Sequence, residues 1–233
     1  GGPDSMALLA LVGDFSKIVP RTVIVHHCHH GVAAEADDWS IFVRSEAERK
    51  GFVFRLHFLN LDLGPEFEAR ARELRYEKVM SEVTANEVVL TAHHRDDQIE
   101  TLLMRLSQGS GLIGLGGIPI SRPFGPGVLV RPLLSVSRRQ LRQVLTAHDL
   151  EHIEDPSNQD PSYLRNFIRL QFLPALARVA PGIGQKLLEL SQSATGRTKQ
   201  MASRLGKQLP VPGVEYVDMA STEILIAWQV RFF

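Results

Sequence analysis

The chain has 233 residues, of which 44% are hydrophobic and 22% charged, and its formal net charge is +0. That length allows one large domain, or one domain with a small appendage, and a core that needs no covalent staples. The single cysteine, Cys28, excludes an intrachain disulfide and any paired-cysteine metal or redox motif, which fits a reducing, cytoplasmic setting.

No apolar run approaches the roughly 18 residues that span a bilayer, so no membrane association is expected. The opening residues Gly1 to Ser5 carry no basic stretch followed by an apolar one, so they do not read as a signal peptide. The neutral balance argues against a uniformly basic nucleic-acid binder, but the charge is unevenly spread. Up to Val130 there are 13 Lys and Arg against 17 Asp and Glu; from Arg131 to Pro210 there are 12 against 6. The later part is the one suited to meet phosphates, although clustering on a solvated helical face gives the same counts.

In chain order, Ser5 to Phe15 reads as an apolar helix entered through a glycine turn. Thr22 to His27 is a β-branched run of the buried-strand type, and Glu35 to Lys50 an amphipathic helix stopped by Gly51. Phe52 to Leu56 is the next strand, and a helix rich in Ala, Arg, Glu and Leu is predicted from about Glu66 to Val83. Glu87 to Ala92 follows as a strand and Asp96 to Leu106 as a helix. Gly109 to Gly127, rich in Gly and Pro, is expected to be a long loop. Val128 to Val130 closes the sheet. Ser137, with Gln140 three residues on, starts a helix with a capping box. From Tyr163 to Leu205 the pattern is helical only, and the tail from 206 to 233 is unassigned. Alternating strands and helices imply an α/β fold with a doubly wound, mostly parallel sheet whose ligands sit at the carboxyl ends of its strands.

Three groups of residues carry chemistry. Gly1-Gly2-Pro3-Asp4-Ser5 places glycines before a helix start, where backbone amides and the helix dipole favour an anion; the same residues make an ordinary capped turn. His94, Asp96, Asp97 and Glu100 gather at the end of a strand and the first turn of a helix. Carboxylates there suit Mg²⁺ or an ammonium group, or simple helix capping. Arg165 and Arg169, four apart with Asn166 between, lie on one helix side and could clamp a phosphate or pair with nearby acids. His26, His27 and His93 read as packing or loop histidines, and no thiolate or ligand spacing supports zinc.

In combination these stretches resemble a known family. Gly1 to Ser5 is similar to the SGGxDS loop of the PP-loop ATP-pyrophosphatases, without the leading Ser or the strand before it. His27-Cys28-His29-His30-Gly31-Val32, the run from Thr91 to Thr101, and Ile153 to Asn158 with Tyr163 to Arg169 resemble the segments of tRNA(Ile)-lysidine synthetases in particular. Gly109 to Gly111 and Arg131 to Leu134 stand in the expected order between them, so the resemblance spans residues 1 to about 190. It implies an ATP-consuming ligase that adenylates the wobble cytidine of isoleucine tRNA with a CAU anticodon, then joins lysine to its C2. It implies ATP contacts from Gly1, Gly2, Pro3, Asp4, Ser5 and His30, and a Mg²⁺ ligand in Asp4. Lysine would be met by His94, Asp96, Asp97 and Glu100, and tRNA by Arg131, Arg165, Asn166 and Arg169. Asp4, His94, Asp97 and Arg165 would form the catalytic set, with Asp97 as proton acceptor. The expected division is a nucleotide-binding domain over 1–135 and a helical, tRNA-facing extension over 136–205. Two alternatives stay open: another PP-loop tRNA-modifying or amidating enzyme, and a truncated form that only binds tRNA or nucleotide.

Overall fold

The computed structural model describes residues 1–31, 34–59 and 67–204, and the backbone of 223–227. Val32 of the histidine stretch and the rest of the tail lie outside the described residues. The sheet is built from β1 (Val23–His29), β2 (Val53–Phe58), β3 (Glu87–Leu90), β4 (Ser121–Phe124), β5 (Gly127–Val130) and β6 (Glu223–Ala227). Their order is β2-β1-β6-β3-β5-β4, with every pair parallel except β4 with β5. β6 thus stands in the centre, separating β1 from β3.

Helix α1 (Pro3–Ile18) is apolar along almost its whole first half, and Met6, Ala7, Leu9 and Ala10 are 0% exposed. A helix apolar all round must be covered on several sides. It meets α2 (Ala36–Arg49) and the sheet in one core with Val25, Val43, Val88 and Leu90. Its other cover is α6 (Arg138–Ala147), whose Leu141 and Leu145 join the same core. The expected boundary at 135 therefore falls inside a packed unit: α6 belongs to the α/β layer, not to the helical extension. The capping box that starts α6 forms as the sequence indicates, with Ser137 Oγ accepting from the Gln140 amide and Gln140 Oε1 from the Ser137 amide.

The opposite sheet face packs Ile24, Cys28, Val89, Phe124 and Leu129 against α3 (Phe67–Met80). Phe124 lies on β4, inside the stretch expected to be loop. Gly125, at φ 58°, turns the chain back into β5 and closes an antiparallel hairpin on the sheet edge. A third core joins α4 (Arg95–Ser107) to α8 (Leu173–Val179) and α9 (Ile183–Arg204) through Leu102, Ile168 and Leu187. Between them run the short α7 (Leu164–Phe167) and a π-helical turn, Ile168–Phe172. No helix among the described residues is long and apolar enough to cross a membrane.

Candidate functional site

At the carboxyl ends of β1 and β3 lies a cavity of about 620 Å³, one end of which is Gly1 to Ser5. The loop feeds directly into α1. Gly2 is the N-cap, Pro3 occupies the first helical turn, and no side chain caps the helix. Proline suits that position because its missing N–H is one the first turn would not use. The helix start therefore offers backbone amides and its positive dipole end to the cavity.

Asp4, in that first turn, meets His94 across the cavity floor, with Oδ1 3.3 Å from Nε2. His94 is the N-cap of α4 and is 0% exposed. Its Nδ1 accepts from the amides of Asp96 and Asp97 at 3.2 and 3.3 Å. A ring nitrogen that accepts carries no proton, so the neutral ring holds its proton on Nε2, towards Asp4. Asp97 completes this capping box: its Oδ2 accepts from the His94 amide at 2.9 Å, and its Oδ1 from Arg165 at 3.0 Å. Both oxygens of this fully buried carboxylate are thus engaged.

One turn further along α4, Glu100 is 1% exposed and collects three guanidinium groups. Arg165 donates to it at 2.7 Å, Arg169 at 2.7 and 3.0 Å, and Arg138 approaches to 3.5 Å. Burial pushes the Glu100 carboxyl up, but the Arg169 hydrogen bond and the Arg165 charge outweigh it and hold it below the ordinary range. Glu100 is in consequence a charged hub that fixes where three cations point. Asp96 points elsewhere, its Oδ2 accepting from the Arg138 amide at 2.8 Å and so tying α4 to α6.

The remaining expected site residues divide. Ser5 and Arg169 line the cavity. Asn166 is fully buried, and its Nδ2 donates to the carbonyls of Ser157 and Asp160 at 2.9 and 2.8 Å. It braces the Asp155–Asp160 turn and has no surface to offer a nucleic acid. Arg131 is 3% exposed and donates to the Pro119 carbonyl at 2.7 Å, away from the cavity. His30 is buried and does not line the cavity either. Conversely, His27, Trp39, Arg138 and Arg142 do line it, and none was singled out from the sequence as part of the site. For the two arginines a signal existed in the basic balance after Arg131. For His27, alternation along β1 puts it on the α1 side, opposite Ile24 and Cys28.

A magnesium ion in such a site needs one or two carboxylates and phosphate oxygens, and Asp4 beside the α1 amides meets that requirement. Among the described residues, the one cluster of three potential ligands is His26, His57 and Glu82, on the other face of the sheet. There His26 Nδ1 lies 2.8 Å from His57 Nε2, and His57 Nδ1 3.5 Å from Glu82.

Residues 1–176 match the PP-loop domain family, and the chain belongs to it. Within that class its sequence is similar to tRNA(Ile)-lysidine synthases. That of Pseudomonas aeruginosa is 42% identical over 179 residues, 76% of this chain and 40% of that protein. That of Methylococcus capsulatus is 41% identical over 191 residues, covering 80% and 43%. That of Photobacterium profundum is 37% identical over 233 residues, covering 96% and 53%. The chain spans about half the length of these relatives, or less. Among solved structures, the U34-tRNA thiolase NcsA from Methanococcus maripaludis with its [4Fe-4S] cluster superposes with a TM-score of 0.65. It covers 83% of this chain and 68% of that one at 16% identity, a likeness of fold alone.

Proposed function

We propose that this chain carries the catalytic unit of a tRNA(Ile)-lysidine synthase, a cytoplasmic ligase that uses ATP to join L-lysine to C2 of the wobble cytidine of tRNA(Ile) with a CAU anticodon. The observation that carries the reading is the meeting of Asp4 and His94 between an uncapped helix start and an arginine-rich wall, in a chain similar to those enzymes.

A cytosine carbonyl oxygen is a poor leaving group. Attack of that oxygen on the ATP α-phosphate releases pyrophosphate and turns it into a good one, AMP. The α1 amides and Ser5 hold the phosphates, and Asp4 would hold Mg²⁺, which neutralises charge developing on them. The neutral ε-amine of lysine then attacks C2 and expels AMP. His94 and Asp97 serve this second step. His94 is the ring nearest the phosphate end, and Asp97 orients both it and Arg165 through hydrogen bonds to each of its oxygens. With those bonds in place, Asp97 acts first as a positioning carboxylate; accepting the amine proton would require it to release Arg165. Arg165 and Arg169, aimed by Glu100, would face the tRNA phosphates along with Arg138 and Arg142. In this reading the α/β layer through α6 handles nucleotide, and α7 to α9 face tRNA.

Cys28 speaks against a sulfur-transfer chemistry, because burial pushes its thiol up to about 12. The test is incorporation of labelled lysine into a tRNA(Ile) transcript with a CAU anticodon. ATP-dependent labelling that disappears when the wobble cytidine is changed supports the proposal. Absence of labelling with a chain that binds both ATP and the transcript would remove it.

A further inference from the structure

Resting on the proposed ATP-dependent reading, we infer that His27 and Trp39 form the nucleoside subsite of the cavity, holding the adenosine of ATP on the β1 side of the phosphate loop. The geometry assigns the two ends of a bound nucleotide. The phosphate loop is central. The groups that serve the second step, His94 and Asp97, stand on the β3 and α4 side, and the arginines continue that wall. Phosphate chemistry is therefore directed towards β3, which leaves the nucleoside the opposite direction, towards β1 and α2.

That opposite wall is aromatic. Trp39, half-buried in the second turn of α2, and His27, near the end of β1, both line the cavity. The apolar residues named elsewhere in its lining, Ile153, Pro156 and Leu170, are not aromatic. A purine buries its faces best against a ring, and an aromatic platform is how proteins hold a base without reading its sequence.

His27 supplies the polar half. Its side chain is 2% exposed, and Nδ1 has no hydrogen-bond partner among the described residues. Phe54 backs the ring at a centroid distance of 6.2 Å. Buried polar atoms are rarely left unmatched, and a cavity-lining one is matched by what fills the cavity. Burial holds the imidazole neutral, with its acidity shifted down to about 2. A neutral ring fixed by no protein partner can present a donor or an acceptor, as a ribose hydroxyl or a purine nitrogen requires.

The test uses the intact chain and two ligands that share phosphates but not a nucleoside, Mg·ATP and Mg·pyrophosphate, each titrated by calorimetry. Trp39→Ala should weaken Mg·ATP about tenfold, the usual scale for losing one base–aromatic stack, and leave pyrophosphate within about twofold. Trp39→Phe should restore most of the loss. His27→Phe, which keeps the ring and removes the nitrogens, should weaken ATP and spare pyrophosphate. A second readout needs no change at the subsite: with Trp228→Phe as background, Trp39 emission should respond to ATP and not to pyrophosphate. Equal effects of Trp39→Ala on both ligands, or on neither, together with an emission response to both, would overturn the subsite while leaving the ligase reading intact. A wild-type chain that binds neither ligand would overturn both.

Discussion

Two helices begin at the same cavity, and they begin differently. The start of α1 is capped by no side chain: Gly2 and Pro3 leave its first amides to whatever occupies the cavity. The start of α4 is closed by its own residues, with His94 and Asp97 each satisfying the other's backbone. The first helix start is built to receive an anion. The second is built to hold side chains still. An unsatisfied helix end is a binding device, whereas a satisfied one is a mounting for catalytic groups, and this site needs one of each.

The sharpest way to break that distinction is to remove the hub of the second device. Glu100→Ala leaves Arg165, Arg169 and Arg138 partly buried without their shared anion, so urea unfolding should show a loss of about 3–5 kcal/mol. Asp4→Asn at the open helix start should change stability by less than about 1 kcal/mol, because nothing in the fold leans on that carboxylate to the same extent. Similar losses in the two variants would erase the contrast.

Acidification probes the layer behind both helix starts. His26 is held down to about 4, by burial first and by the neighbouring His57 second. Burial likewise holds His30 down to about 3. Unfolded, these rings titrate near pH ~6.5. Stability is therefore complete above that value and is lost as pH falls through it towards 4, since the unfolded chain binds protons that the folded chain refuses. A melting temperature that falls between pH 7 and 5, and falls less in His26→Phe, is the expected outcome. The smallest effect concerns α6. Ser137→Ala removes the cap that anchors the arginine-bearing helix and should cost about 1 kcal/mol, with tRNA affinity reduced more than ATP affinity.

What could be seen in the sequence follows the reach of each interaction. The capping boxes at His94 and Ser137 span three residues, so their spacing alone announced them. The strands β1, β2, β3 and β5 were visible as short β-branched runs. β4 was not, because Ser121-Arg122-Pro123-Phe124 has no strand periodicity and is held by pairing with β5. β6 pairs with β1 and β3 across nearly the whole chain, a long-range choice that no local pattern encodes. The same limit hid part of the site. Asn166 sits inside a signature that suggested contact with tRNA, yet its amide is spent on a turn six to nine residues away. Trp39 looked like one more apolar position of an amphipathic helix, and only the closure of the sheet turns it towards the cavity.

The measurement that bears most directly on the division of labour is a pair of rates and affinities for Asp97→Asn. ATP affinity, read by calorimetry, should stay within about threefold of the unmodified chain, because α1 and not α4 holds the phosphates. Single-turnover transfer of lysine to tRNA should fall by about a hundredfold or more, the usual scale for misorienting catalytic groups. Equal losses in ATP binding and lysine transfer would contradict the account, since they would mean that the two helix starts act as one site.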